Sequence, residues 1–357
     1  MNALTGTIGF GLVGNGVIAH NHAQAILALA AQHDLRLVGV LGRDLARACD
    51  FAAHYGLPVA TDDPVAFFAR SDIQVVCVVT PSGLHLEPAL QAIQARKHLL
   101  VEKPIEIDLP RVDALLTAAE AAGVGVDCIF QARFTEGAQA VKRALAQGRF
   151  GRLCLCSAYV KWHRSASYYS GWKGTLAVDG GGVLINQSIH AVDLLQWLVG
   201  MPDDVFAWKT RRVHREIEAE DTLCATLRYP DGALGTVEAT TAAWPGWERR
   251  IEICGEFGSV ALEDERIVRW EFREESPEDA EIRACATKDE ASTGAGASNV
   301  IGFAGHQRQI ERLVTALRTG APMPVGGREA RKAVVLVRAL YTSAESGVPL
   351  RLADVHR

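Results

Sequence analysis

No stretch of this chain stays apolar for the roughly 20 residues that a membrane span requires. Its 37 Lys and Arg do not outnumber its 42 Asp and Glu. A net charge of −5 argues against nucleic acid as a main partner, because phosphate backbones are held by clustered cations. The eight cysteines include no Cys-x-x-Cys pair and read as reduced thiols rather than a disulfide frame; Cys154 and Cys156 alternate with leucines as strand residues do. No Cys/His cluster has zinc spacing and no Gly-x-Ser-x-Gly elbow occurs. His20 and His22 read as packing or cofactor-contacting residues, so no metal is expected. The opening Met1-Asn2-Ala3-Leu4-Thr5 runs into a strand without a basic-then-apolar leader, which makes the cytoplasm the expected address.

What is present is enough for two sizeable cores: 357 residues, 48% of them hydrophobic, with a boundary expected at 128/129. Thr7 to Val13 reads as a buried strand. Gly14-Asn15-Gly16-Val17-Ile18-Ala19 follows, and then an alanine-rich helix. This is the dinucleotide fingerprint, with Gly14 for the tight turn, Gly16 for close approach of a pyrophosphate and Ala19 for helix–strand packing. Gly11, Gly14, Asn15, Gly16, Val17 and Ile18 are therefore the expected cofactor contacts. The next strand, Leu35 to Leu41, ends in Gly42-Arg43-Asp44, where an NAD enzyme commonly carries an acidic residue for the ribose. Gly42 with Arg43 favours NADP over NAD, while Asp44 either reaches the ribose or starts the next helix.

A strand from Ile73 to Val79 stops at Thr80-Pro81-Ser82-Gly83-Leu84-His85. Another, His98 to Val101, stops at Glu102-Lys103-Pro104. Strands alternating with helices at this spacing predict a parallel, doubly wound Rossmann sheet, whose ligands bind beyond the carboxyl ends of the strands. Gly14, Thr80 and Lys103 then converge on one rim, with Pro81, His85 and Glu102 beside them.

Beyond Phe130 the pattern predicts an α+β domain: a helix over Thr135 to Gln147, a strand over Leu153 to Trp162, and strand-like runs from Val205 to Phe272 broken by turn signals. A large, mostly antiparallel sheet with one open face fits, and that face suits a homo-oligomer, dimer or tetramer. Glu274 to Ser298 is acidic, then small and polar, and reads as a mobile loop. Two closing helices, His306 to Thr319 and Glu329 to Ser346, suit packing back on the first domain. Directly after the Leu153 to Trp162 strand lies a polar and aromatic segment with His163, Arg164, Tyr169, Trp172 and Lys173. It suits a polyol or sugar acid, since rings stack on C–H faces and cations take polar edges, and it equally suits a subunit interface. From Asp179 a glycine run leads into a helix to Val199, on which Asn186, His190, Asp193 and Trp197 share one face.

The glycine turn, the Thr80-Pro81-x-x-x-His85 segment and Glu102-Lys103-Pro104 resemble the Gfo/Idh/MocA family of NAD(P)-dependent oxidoreductases. The resemblance implies that Lys103 is catalytic or substrate-orienting and that its bond to Pro104 is often cis. The Asn186 segment is similar to the family's helix that supplies an Asp or Asn and, four residues later, the proton-exchanging histidine, here His190. Asn186 departs from the commoner aspartate and resembles the subgroup acting on amino-sugar uronates or related sugars. Tyr341 to Gly347 also looks like the family ending.

The expected activity is hydride transfer between NAD or NADP and a secondary alcohol or ketone of a sugar, sugar acid or cyclitol. His190 would exchange the proton, and Lys103 would stabilise charge on the reacting oxygen. Two alternatives stand beside it: redox-assisted glycoside hydrolysis with bound NAD, and a non-catalytic dinucleotide-sensing regulator.

Overall fold

A computed structural model describes residues 3–264, 266–285 and 302–355. The chain divides into two compact units, Met1–Gln131 with Gly302–Arg331, and Ala132–Ile301 with Lys332–Arg357. The expected boundary thus moves from 128 to 131, and a later segment returns to the first unit.

The first unit alternates β1 (Ile8–Val13), α1 (Val17–His33), β2 (Leu35–Leu41), α2 (Leu45–Tyr55), β3 (Val59–Thr61), α3 (Pro64–Phe68), β4 (Val75–Val78), α4 (Leu86–Gln94), β5 (His98–Val101), α5 (Leu109–Ala122) and β6 (Val126–Cys128). The six strands form one parallel sheet in the order β3-β2-β1-β4-β5-β6. Their order reverses beside β1, which makes the ends of β1 and β4 the switch point where such sheets bind ligands. β1, β4 and β5 are buried along their whole length, as strands covered on both faces must be.

The second unit contains α6 (Glu136–Ala146), β7 (Leu153–Lys161), α7 (Val183–Asn186), α8 (Ile189–Val199), β8 (Asp204–Thr210), β9 (Thr222–Arg228), β10 (Leu234–Thr240), β11 (Arg250–Gly255), β12 (Gly258–Glu263), β13 (Arg266–Phe272) and α9 (Asp279–Cys285). After these come α10 (Ala304–Thr319), α11 (Gly327–Ser346) and β14 (Leu350–Arg351). The second sheet runs β13-β12-β11-β7-β10-β9-β8-β14, antiparallel throughout except between β7 and β10. Register sets one transverse row, Trp208, Cys224, Glu238, Tyr159, Arg250 and Glu263. None of these six side chains is buried, whereas their strand neighbours Leu223, Ala225, Val237, Ala239, Ala158, Val160 and Ile251 are. This is the period-2 alternation of a sheet with one open face.

Two helical details differ from expectation. The helix expected from the glycine run to Val199 is broken after Asn186: Ser188 N bonds back to Val183 O, and α8 restarts at Ile189. The acidic segment expected as a loop contains α9, because Asp279 is buried by bonds to Arg149 at 2.7 Å and to Trp270 Nε1 at 2.7 Å. The remainder of that expected loop, 286–298, lies outside the described residues. In the first unit α10 is tied to β6 by Gln309, whose Nε2 donates to Asp127 Oδ2 at 2.9 Å. Cys49, Cys77, Cys128, Cys154, Cys156, Cys224 and Cys254 are free thiols. No helix of the described residues is long and apolar enough to cross a membrane.

Candidate functional site

In the first unit the glycine turn separates into two kinds of glycine. Gly14 has φ +109, and a Cβ there would lie 2.9 Å from Val79 O and 3.2 Å from Thr80 N, so the close meeting of the β1 and β4 ends requires it. Gly16 caps α1, and a Cβ on it would meet nothing within 4 Å. Packing does not explain that glycine. Open space over the start of a 17-residue helix that has no side-chain cap does, because a pyrophosphate binds at such a start. Val17 at the first helical position is exposed and Ile18 half-buried. Asn15 Nδ2 is buried with no hydrogen-bond partner among the described residues, and it lies 3.3 Å from where a Gly42 Cβ would be. An orphaned donor, a bare helix start and a glycine that packing does not need together fit a dinucleotide.

Three other expected cofactor positions have structural work of their own. Gly11 lies inside β1, where a Cβ would come within 2.7 Å of the Phe67 ring. Asp44 caps α2 by accepting from Arg47 N at 3.2 Å, so it starts the helix, while Arg43 is exposed. His85 is buried with Nδ1 2.9 Å from Pro104 O and Nε2 2.9 Å from Thr80 O. A neutral imidazole donates to only one of these at a time. Desolvation lowers the His85 pKa and favours that neutral form. The ring thereby braces the Thr80-Pro81 segment against the Lys103-Pro104 turn, whose peptide bond is cis.

Glu102 follows β5 and is 5% exposed. Its Oε2 accepts from Lys103 N at 3.1 Å, and its Oε1 accepts from His22 Nε2 at 2.8 Å and His306 Nε2 at 3.1 Å. Desolvation alone would raise its pKa, but the bonds from His22 and His306 outweigh that and hold the carboxyl well below the usual range. Lys103 itself is half-buried at the strand end.

In the second unit the site is built around Asn186 and His190, both half-buried. Gly182 opens α7 under strong constraint: a Cβ would lie 1.8 Å from Glu220 O. Glu220 then accepts from Gly182 N and Leu184 N, each at 3.0 Å, and from Tyr341 Oη at 2.8 Å. Burial pushes the Glu220 carboxyl up, against these donors. Asn186 Nδ2 donates to Asp179 Oδ1 at 2.6 Å, and Tyr168 Oη donates to Asn186 Oδ1 at 3.4 Å. Around the Tyr168 ring stand Lys173 Nζ, 3.7 Å from the centroid, and the Arg164 guanidinium at 5.3 Å. Desolvation pulls the Arg164 pKa down and pushes that of Tyr168 up.

The aromatic segment thus divides. Arg164, Lys173 and Asn186 gather about Tyr168. Tyr169 instead bonds Thr241 Oγ1 at 2.7 Å and packs tilted against His214, and His163 packs edge-on to Trp244 at 4.9 Å. Trp172 is half-buried, and its carbonyl accepts from Thr175 Oγ1 at 2.6 Å. Asp193 and Trp197, expected on the His190 face, are structural: Asp193 takes both Nε and Nη2 of buried Arg133, at 2.7 and 2.5 Å, and Trp197 lies under Arg133 and Lys142. Asp179, Tyr168, Glu220 and Tyr341 were not singled out from sequence. Asp179, which opens the glycine run, and Tyr341, which opens the closing motif, left local traces.

Two family models match this chain. Residues 8–130 match the family model described as oxidoreductase family, NAD-binding Rossmann fold. Residues 138–261 match the GFO/IDH/MocA C-terminal domain. The chain is 30% identical to the inositol 2-dehydrogenase of Rhizobium meliloti over 270 residues, 74% of this chain and 78% of that one. It is similar in structure to the WlbA dehydrogenase from Bordetella pertussis in complex with NADH and UDP-GlcNAcA. That match has 33% identity and a TM-score of 0.89, covering 98% of this chain and 99% of the other. The WlbA dehydrogenase from Chromobacterium violaceum, in complex with the same two ligands, gives 31% identity and a TM-score of 0.87 over 98% of each chain.

Proposed function

Because this chain belongs to the Gfo/Idh/MocA family of NAD-binding oxidoreductases, we propose that it oxidises a secondary alcohol of a sugar acid. NAD, when bound, accepts the hydride from the carbinol carbon. His190 takes the hydroxyl proton, a task suited to a group whose unperturbed pKa is about 6.5. Lys103 donates a hydrogen bond to the same oxygen and stabilises the charge that develops there. Asn186 carries no charge and does not compete as a base; held by Asp179 and Tyr168, it orients the substrate beside His190.

The observation that carries the acidic substrate is the grouping of Arg164 and Lys173 about Tyr168, whose hydroxyl bonds Asn186. Two cations around one ring suit a carboxylate on a sugar whose C–H face lies on an aromatic. The two WlbA dehydrogenases, with UDP-GlcNAcA bound, support the same class. The test is a panel of sugars, cyclitols, uronates and nucleotide-linked uronates, followed by NADH absorbance with NAD and NADP in parallel, which also decides what Arg43 does. Turnover confined to neutral polyols would refute the acidic substrate. Sugar release without net NADH would replace oxidation by redox-assisted hydrolysis.

We also propose that copies of this chain assemble, as a dimer or tetramer, through the open face of the second sheet, and that the protein works in the cytoplasm. A monomer by light scattering at working concentration would refute the assembly, and signal in a membrane fraction the location.

A further inference from the structure

Glu102 has two partners that the proposed reaction does not use. His22 belongs to α1 and His306 to α10, yet both direct Nε2 at the same oxygen of Glu102, from 2.8 and 3.1 Å. All three side chains are buried, and the two imidazoles meet edge-on with centroids 5.0 Å apart. A carboxylate only accepts, so each Nε2 carries a hydrogen. The opposite nitrogen of each ring, Nδ1, is buried without a hydrogen-bond partner among the described residues.

The three ligand atoms lie within 4.8 Å of one another, which is a spacing a metal ion requires. Hydrogens account for them better. Ligands at about 2.1 Å in a tetrahedral zinc site stand about 3.4 Å apart, farther than the 2.8 Å between His22 and Glu102. Metal-bound histidines also pass their second nitrogen to a carboxylate or carbonyl, and neither ring does so here.

The second oxygen of Glu102 is therefore the informative one. It accepts from the backbone N–H of Lys103 at 3.1 Å. With Oε1 fixed by two donors arriving from different helices, the carboxylate cannot rotate, and Oε2 holds the Lys103 amide in one place. We propose that His22 and His306 are positioning residues for Lys103, acting through Glu102 to fix the point beyond the end of β5 from which the lysine side chain projects. This rests on the role given to Lys103 above.

The test uses the full chain with NAD and three variants: His306→Leu, which removes a donor; His306→Gln, which restores an N–H at a similar reach; and Glu102→Gln, which keeps the shape but accepts at only one atom. Two readouts are taken, kcat against KM, and amide hydrogen exchange of the peptide covering residues 99–108. A loosened anchor about 1 Å from its productive place costs about 100-fold in rate. His306→Leu is accordingly expected to lose about 10- to 100-fold in kcat, with KM and NAD affinity within about threefold and exchange at Lys103 at least about tenfold faster. His306→Gln should recover both within about threefold.

Unchanged kcat and exchange in His306→Leu overturn the proposal, and so does a His306→Gln as impaired as His306→Leu. If His306→Leu does not fold, Glu102→Gln decides, and wild-type turnover with wild-type exchange overturns the proposal. Stoichiometric zinc in the purified wild type overturns it as well. If the wild type fails to reduce NAD with every sugar, cyclitol and uronate of the panel, the dehydrogenase reading fails while the exchange measurement still decides the clamp.

Discussion

Asn186 gives its side-chain amide to Asp179, Nδ2 to Oδ1 at 2.6 Å, and so turns its own carbonyl oxygen towards Tyr168. Where a family aspartate is commoner, this chain keeps the charge one shell back, on a buried residue that also accepts from Gly174 N at 2.8 Å. Restoring the family residue alone therefore misfires. Asn186→Asp sets two carboxylates in contact, one of which must take a proton, and kcat is expected to fall at least about tenfold with about 1–3 kcal/mol of stability lost. The exchanged pair Asp179→Asn with Asn186→Asp should regain most of both. Steady-state kinetics and thermal melts on the two variants check the coupling.

Lys103→Ala is expected to lower kcat by at least about 1,000-fold, since it removes the donor that stabilises the reacting oxygen. NAD affinity, read by quenching of protein fluorescence, should stay within about threefold. Retained turnover would remove Lys103 from the mechanism.

The two glycines of the turn should part company on substitution. Gly16→Val meets open space at a φ of −78, so melting should shift by less than about 0.5 kcal/mol equivalent while NAD affinity falls at least about tenfold. Gly14→Ala forces a side chain into φ +109 against Val79 O and should cost about 1–3 kcal/mol whether or not cofactor is present. Equal effects at both positions would contradict the assignment of Gly16 to the pyrophosphate.

Acid should weaken the first unit in two stages. Burial lowers the His22 pKa in the folded chain, despite the opposing pull of Glu102. Below about pH 6.5 the unfolded chain takes up a proton that the fold refuses, and stability declines as pH falls towards the folded value. The Glu102 pKa is depressed as well, so its contribution is complete above about pH 4.3 and is lost as pH falls through its lower folded pKa. Melting temperature should drop from pH 7 to 5, and His22→Gln should remove up to about 1.4 kcal/mol per pH unit of that slope. An unchanged slope would mean that His22 is protonated in the fold.

In the second unit, Asp279→Asn leaves Arg149 without its counter-charge and is expected to cost about 2–4 kcal/mol, measured by denaturant unfolding. The Asp279 carboxyl is held far below its usual range, chiefly by Arg149.

Much of the first unit was legible because its signals are local. β2 falls where its apolar run put it, and Glu102-Lys103-Pro104 follows β5 directly. The second unit was legible as strands and, through resemblance, in Asn186 and His190, but not in the residues that hold them in place. Tyr341 bonds Glu220 across 121 residues and Gln309 reaches Asp127 across 182, distances over which no periodicity speaks. The acidic stretch around Asp279 read as solvated because its burial depends on Arg149, 130 residues earlier. Tyr168 and Tyr169 are neighbours of identical type, and only the fold decides that the first meets Asn186 and the second Thr241.

Gly181 and Gly182 leave no room for a first carbon: Tyr341 Oη would stand 2.3 Å from one Cβ and Glu220 O 1.8 Å from the other. A lineage exploring new substrates by single mutations therefore finds no viable step in that run. Its exploration is channelled to 163–173, where Ser165, Ala166 and Ser167 are exposed and a changed side chain alters what is recognised without dislodging the backbone beneath His190.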